Sequence, residues 1–323
     1  QVSTAFFENG IDKIFFTGSV PAGKDLMAQA SKTLTPLSLE LGGKDPMIVL
    51  EDADLERAAN GAAWAGYQNS GQSCGGVERI YVHESVYEKF VSLLTQKTLL
   101  LRQGVPNPAC TVDVGAMTTA KQRRVVEKQV EEAVAQGARI VAQAQLQPNL
   151  QGEFYPATLM THVDHSMSLM IEETFGPVLP VMPFKTEEEA IRLANDCTMA
   201  LSASVWSRNT ARAKALARKV RGGVVVVNDH LYTHGMSDLP WGGPGESGIG
   251  RTHGPEGLKE MTKPKAINWD YARAKNNLWW YPQDRQTYEV IKHAMRMGSP
   301  RNLMDFLMAS LKLLPTMIKR MYF

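Results

Sequence analysis

From Ile11 to Asn228, short apolar runs alternate with amphipathic helical stretches. Ile11–Thr17 reads as a buried strand ending at Gly18, Gly23–Lys32 as a helix and Leu37–Leu41 as a second strand. Lys44–Leu50 is a further apolar strand, and Asp52 or Asp54 can cap the helix that runs to about Tyr67. Arg79–Val82 alternates as a strand, Val86–Leu100 is an amphipathic helix, and Thr119–Gln136 is a charged helix stopped by Gly137 before a strand at Ile140-Val141. After a polar connection over Pro148–Glu153, Thr186–Asn195 and Thr210–Val220 read as helices, and Leu201–Trp206 and Gly223–Asn228 as strands. Ala266–Trp269 is a candidate last strand. Strands separated by helices are joined by crossovers rather than hairpins, so the expected fold is α/β with a mostly parallel sheet.

The 323 residues suffice for two domains with real cores. A net charge of +2 is too small to argue for nucleic acid, but it is unevenly placed. From Asp270 onward nine Lys/Arg face four Asp/Glu, giving +5 and leaving −3 for the rest. A basic tail on a mildly acidic body points to a surface contact, with a membrane as one candidate. The tail holds Trp279-Trp280-Tyr281 and a 16-residue apolar run, Leu303–Ile318, containing Asp305 and Lys312 and interrupted by Pro315. A membrane span takes about 20 apolar residues. The run therefore fits an interfacial helix, with Lys319 and Arg320 at headgroup level, or a helix packed on the parent protein. Three cysteines, Cys74, Cys110 and Cys197, argue for a reducing, cytoplasmic setting rather than a disulfide framework. The chain opens at Gln1 and is soon in an apolar strand, so it reads as cut from something longer.

Four segments carry chemistry. Cys74 sits in Gly71-Gln72-Ser73-Cys74-Gly75-Gly76. A buried structural cysteine needs no glycines around it, whereas a nucleophile approached by backbone N–H groups does. A papain-type thiol would be followed by an aromatic residue, and here Gly75-Gly76-Val77 follows. Glu40, in Leu39-Glu40-Leu41-Gly42-Gly43-Lys44, ends an apolar strand. Apolar neighbours would raise its pKa and suit it to take a proton from water, although a glutamate capping a turn looks the same in isolation. Gly18 to Lys24 nearly matches a nucleotide phosphate loop, but Asp25 stands where a metal-binding Ser/Thr belongs. A glycine turn between strand and helix suits a dinucleotide pyrophosphate better. Glu172-Glu173-Thr174-Phe175-Gly176-Pro177 is a stiff loop whose glutamate could hold ribose hydroxyls while the phenylalanine packs on a flat ring. Gly243-Pro244-Gly245-Glu246-Ser247-Gly248 has dinucleotide-fingerprint spacing without a preceding strand. His230/His234 and His162/His165 lack further ligands, so no metal is expected.

Taken together, these segments resemble the NAD(P)-dependent aldehyde dehydrogenase superfamily. The matching stretches, in family order, are Phe16-Thr17-Gly18-Ser19 with Gly23, Leu39 to Lys44, Gly71 to Cys74, Glu172 to Pro177, Gly223 to Asn228, and Pro240-Trp241-Gly242-Gly243 with Ser247-Gly248. The resemblance covers about Ile14 to Trp269. It implies an aldehyde-dehydrogenase-like α/β fold. Residues 1–41 would be the remnant of a Rossmann-type cofactor domain and 42–245 the catalytic thiol domain. Residues 246–269 would be a return segment with an oligomerisation strand, and 270–323 a basic, apolar extension. It implies that Cys74 attacks the aldehyde as thiohemiacetal and then thioester nucleophile, that its own N–H serves the oxyanion, and that Glu40 activates the hydrolytic water. NAD or NADP would be held by Gly18, Ser19, Gly23, Leu41, Gly42, Glu173 and Phe175. Lys44 would only support its turn. Trp241, where the family often has phenylalanine, would wall the substrate tunnel, with Asn228 on the substrate side.

The family's oxyanion asparagine, its first cofactor strands and the residue that selects NAD or NADP belong upstream of Gln1. This chain alone is therefore expected to bind cofactor poorly, and the whole protein to be a homodimer or homotetramer. The apolar loop Leu231–Trp241 contains no arginine, which favours apolar aldehydes, medium- or long-chain or aromatic. The tail is longer than the family core needs, and some relatives acting on fatty or aromatic aldehydes sit on membranes. Two alternatives are a CoA-acylating enzyme and an inactive scaffold of the same fold. The presence of Glu40 speaks against the first, and that of Glu40, Cys74, Glu173 and Phe175 together against the second.

Overall fold

The structure is a computed structural model that describes residues 2–271, 274–277, 280–281 and 283–322. They form two compact units, Gln1–Lys263 and Pro264–Phe323. Ten strands run through the first unit: β1 (Ile14–Thr17), β2 (Leu37–Glu40), β3 (Asp45–Val49), β4 (Val77–His83), β5 (Arg139–Gln143), β6 (Thr158–Thr161), β7 (Val178–Phe184), β8 (Ser202–Trp206), β9 (Val224–Val227) and β10 (Gly248–Ile249).

β1, the helix Val20–Ala30 and β2 make a parallel strand–helix–strand unit, as the sequence predicts. β10 returns from far along the chain to pair antiparallel with β2, placing Gly248 opposite Glu40. The second sheet has the order β5-β6-β7-β4-β3-β8-β9 and is parallel throughout except for edge strand β5. Its central strands are covered on both faces, which is why they read as unbroken apolar runs. Along β3, Ile48 joins the core cluster of Tyr81, Met160, Phe184 and Leu193, while Met47 and Val49 join that of Ala58, Phe90, Leu94 and Trp206. Successive side chains of a strand point to opposite faces, so one strand serves both cores.

Two strands of the second sheet escape the sequence pattern. β7 contains Pro180 and Pro183, which demote a run as strand, and β6 is only four residues long. Ala266–Trp269, a candidate strand in the sequence, is irregular. A strand exists through its ladder, and among the described residues no neighbour supplies one to this segment.

In the second unit the helix Arg285–Gly298 opens with a capping box. Asp284 accepts from Thr287 N, and the Thr287 hydroxyl accepts in return from Asp284 N. It packs on the helix Leu303–Tyr322, burying Val290, Ala309 and Leu313. The second helix runs straight through Pro315, which the sequence suggests as an interruption. A proline inside a helix costs about 3 kcal/mol, an amount that packing can offset. Trp279 and the side chain of Arg320, both singled out in the tail, lie outside the described residues.

Candidate active site

Cys74 is delivered by a strained turn. The helix Leu55–Tyr67, capped by Asp54 through Arg57 N at 3.1 Å, ends in three successive left-handed residues: Asn69 (φ 51°), Ser70 (57°) and Gly71 (69°). Two non-glycine residues held there cost on the order of 1–3 kcal/mol each, so other contacts must fix them. The Ser70 hydroxyl donates to Gly115 O at 2.9 Å and Asn69 Nδ2 to Gln72 O at 3.0 Å. The Gln72 side chain accepts from Thr118 N at 2.8 Å. The turn sets Cys74 on the floor of a cavity of about 350 Å³.

Each part of that cavity comes from a different element. Thr17, Gly18 and Ser19 form one end, where β1 gives way to the helix Val20–Ala30; Ser19 is its N-cap and accepts from Ala22 N at 3.4 Å. Leu41 and Gly42, just past β2, lie beside Cys74. Glu173 and Phe175 line it together with Gln122 and Val125 of the helix Ala120–Ala135. Glu173 Oε1 accepts from Gly43 N at 3.1 Å. The turn at Gly42-Gly43 tolerates no side chain. A β-carbon on Gly42 would lie 2.5 Å from Glu173 Oε2, and one on Gly43 2.3 Å from the Cys74 carbonyl oxygen. The buried Trp241 ring lies against Gly75, the residue after Cys74, and meets His234 edge-on.

Four acidic groups crowd this space. Glu40 is 7% exposed, and neither carboxylate oxygen has a hydrogen-bond partner. Burial pushes its pKa from 4.5 up to about 7, against the pull of Arg251. Asp45 is deeper still. Burial raises it well above the ordinary carboxylate range although Ser202 N and Oγ both donate to it, at 3.0 and 2.7 Å. Burial and then the charge of Glu78 also raise Glu173. The Cys74 thiol is pushed up to about 11 by burial and then by Asp45, Glu40 and Glu173, with the Gly75 N–H pulling the other way. A thiol so placed rests protonated and needs a base to become a nucleophile. Among the three carboxylates that raise it, Glu40 alone has both oxygens unpartnered.

The structure thus brings Gly18, Ser19, Leu41, Gly42, Cys74, Glu173 and Phe175 into one cavity. Gly23 is set behind it, against the Leu41 methyl groups. Asn228 is engaged elsewhere, because its amide bonds Ser207 N and O at 2.9 and 2.8 Å and so clasps the end of β9 to the end of β8. Lys24, the phosphate-loop lysine of the near-match, pairs with Glu246 on the surface. The histidines also have other partners: His230 Nδ1 bonds Ser204 Oγ at 2.7 Å, and His165 bonds Tyr81 and Asp196 at 2.9 and 2.8 Å. The sequence pattern does not single out Gln122 and Val125, which line the cavity, or Asp45, which raises the Cys74 thiol from behind the Gly43 turn. The first two stand three apart on a charged helix, a spacing that marks a shared face but no ligand.

Residues 1–267 match the model of the aldehyde dehydrogenase family. The chain belongs to this family. A 4,4'-diapolycopene aldehyde oxidase of Methylomonas is 41% identical over 282 residues, 87% of this chain and 52% of that protein. The betaine aldehyde dehydrogenase of Bacillus subtilis is 38% identical over 80% of this chain and 55% of its own length. A crystal structure of Mycobacterium tuberculosis aldehyde dehydrogenase complexed with NAD+ superposes with a TM-score of 0.75 at 35% identity, covering 78% of this chain and 52% of the other. The chain spans about half the length of these aldehyde dehydrogenase relatives.

Proposed function

We propose that the whole protein oxidises an aldehyde to a carboxylic acid with NAD or NADP. The observation carrying this reading is a cysteine in a cavity between a helix N-terminus and the Glu173–Phe175 wall, with an unpartnered carboxylate close enough to perturb it. The residues present fit a dinucleotide. Gly18, Ser19 and the start of the helix Val20–Ala30 suit a pyrophosphate, and Glu173, whose Oε2 has no donor among the described residues, suits a ribose diol. Leu41, Gly42 and Phe175 suit a flat ring. When bound, this cofactor would supply the hydride acceptor.

In this scheme Cys74 adds to the aldehyde carbon as its thiol proton passes to Glu40. The Cys74 N–H donates to the developing oxyanion. Loss of hydride leaves a thioester on Cys74. Glu40, ionised again near pH 7, takes a proton from water, which attacks the thioester carbonyl and releases the acid with the thiol restored. An unpartnered base supports hydrolysis over transfer to CoA. Trp241 against Gly75 is the proposed wall of the aldehyde tunnel; Asn228 is left out because both ends of its amide are used.

The proposed substrates are apolar, medium- to long-chain or aromatic. The apolar loop Leu231–Trp241 supports this, and the 41%-identical relative is named for a carotenoid aldehyde. A kcat/KM panel of aliphatic, aromatic and ω-carboxy aldehydes with the whole protein is expected to favour the apolar members by about tenfold or more, the worth of a charge left without a cation. Preference for the ω-carboxy aldehydes would sink the assignment.

We also propose that the second unit rests on an anionic bilayer surface. Leu303, Leu307, Leu311, Leu314 and Ile318 are exposed along one face of their helix, about 140° around from Ala309 and Leu313, which face the neighbouring helix. Exposed Trp269, Tyr271 and Tyr281 and the +5 charge of the tail complete an interfacial composition. No described helix is long and apolar enough to cross a membrane. The whole protein is expected to sediment with phosphatidylserine vesicles at low salt and to be released by the double change Leu307→Glu/Leu311→Glu. No sedimentation with such vesicles, or equal sedimentation of the double variant, would refute the contact.

A further inference from the structure

The wall that carries Glu173 and Phe175 is an irregular loop between residues 171 and 178, and Phe175 is left-handed (φ 45°). Such a loop does not hold its own shape, so the bonds reaching into it decide where its side chains stand. Those bonds converge on a buried ion pair. Lys44 and Glu78 are 1% and 4% exposed, and Lys44 Nζ donates to Glu78 Oε2 at 2.7 Å. Glu78 Oε2 also accepts from Thr174 N at 2.8 Å, and Oε1 accepts from Phe175 N at 2.9 Å. Lys44 Nζ donates a second bond, at 2.8 Å, to the Thr174 hydroxyl. That hydroxyl donates on to Gln129 Oε1 at 2.8 Å, and Gln122 Nε2 donates to Thr174 O at 2.8 Å. Both oxygens of Glu78 are therefore spent on two consecutive backbone N–H groups, one of them on the strained residue.

A buried ion pair is a poor stabiliser, because desolvation consumes most of its attraction. This one has a different effect, since its carboxylate is a two-toothed acceptor for a loop that lacks a ladder. Lys44 holds that carboxylate in place through the 2.7 Å bond. It also follows Gly43 directly, and the Gly43 N–H holds the Glu173 carboxylate at 3.1 Å. The same short segment thus grips the loop at its glutamate and, through Glu78, at its phenylalanine.

We propose that Lys44 and Glu78 are positioning residues that set Glu173 and Phe175 for the cofactor and have no direct part in the chemistry at Cys74. This rests on the dinucleotide reading of the cavity. An amide at position 78 turns an N–H group toward donors, so one of the two backbone N–H groups loses its acceptor and Lys44 loses its counter-charge. Glu78→Gln is therefore expected to lower both thermal stability and cofactor affinity. The double variant Lys44→Met/Glu78→Gln removes both charges of the pair, so neither is left buried without the other. Stability is expected to recover towards the parent, while KM for the nicotinamide cofactor stays raised by about tenfold to a hundredfold, the worth of one lost charged hydrogen bond. A purely structural pair would restore both together.

The test uses the whole protein and two assays. Cofactor KM comes from aldehyde oxidation. Hydrolysis of an activated aryl ester, which acylates Cys74 without any hydride acceptor, reports on the thiol and its water. The expected result for the double variant is a raised cofactor KM with ester hydrolysis within about twofold of parent. An unchanged cofactor KM, or equal loss in both assays, overturns the positioning role. A parent protein inactive in both assays overturns the proposed function itself and is recognised before any variant is made.

Discussion

Cys74→Ala in the whole protein is expected to cut aldehyde oxidation by about ten-thousandfold or more, the usual consequence of removing a covalent nucleophile. Glu40 alone offers no covalent route, and water has no activated carbon to attack until the thioester exists. The change removes one sulfur atom from a half-buried side chain whose turn is fixed by Ser70, Asn69 and Gln72. Cofactor binding and the melting temperature should therefore stay close to parent. Turnover within tenfold of the parent would mean that the nucleophile lies elsewhere. The other thiols are poor replacements: Cys110 is exposed on a loop, and Cys197 contacts the Ile171 carbonyl away from the cavity.

Glu40→Gln should separate the two halves of the reaction. A first turnover of reduced cofactor is expected to survive as a burst, slowed by the loss of the proton acceptor. Steady turnover should fall by about 10²–10⁴-fold, the usual worth of a general base. Intact mass measurement should then find the acyl group on Cys74. In the parent, kcat should rise as pH passes through about 7 and level off above it, since the base must be ionised; the glutamine variant should lose this limb. The same shift acts on stability with the opposite sign. A carboxyl whose folded pKa is raised stabilises the fold fully below its ordinary pKa of 4.5, and that contribution is lost as pH rises through about 7. Glu40→Gln should therefore melt higher than the parent above pH 7, gaining stability as it loses turnover. Unchanged steady turnover would remove Glu40 from the water-activating role.

Much of the candidate cavity was legible before any fold was known, because its markers are local. Glu40 ends a strand recognisable from four apolar-rich residues, Gly42-Gly43 follows it, and Cys74 is set among glycines that a structural thiol would not need. The strand–helix–strand unit over residues 14–40 is local in the same sense. What stayed hidden depends on contacts between distant segments. Glu78 looks like an ordinary charge on a strand, with Arg79 beside it; only packing reveals that both are buried, Arg79 donating to the Lys44 and Ala194 carbonyls at 2.8 and 2.9 Å. Asn228 sits in a matching stretch, yet its amide is spent on Ser207. β7 reads as broken by its prolines until β6 and β4 flank it.

The sequence by itself determined the family and the α/β alternation, and it singled out the two side chains proposed to form and resolve a thioester, because each reading rests on residues adjacent in the chain. Tertiary structure alone decided the burial that raises the pKa values of Glu40, Asp45 and Cys74, the hydrogen bonds of Lys44 and Glu78 to the 173–175 loop, and the place of Trp241 against Gly75. Burial and the sum of neighbouring charges are properties of the assembled molecule, and no local run of residues encodes them.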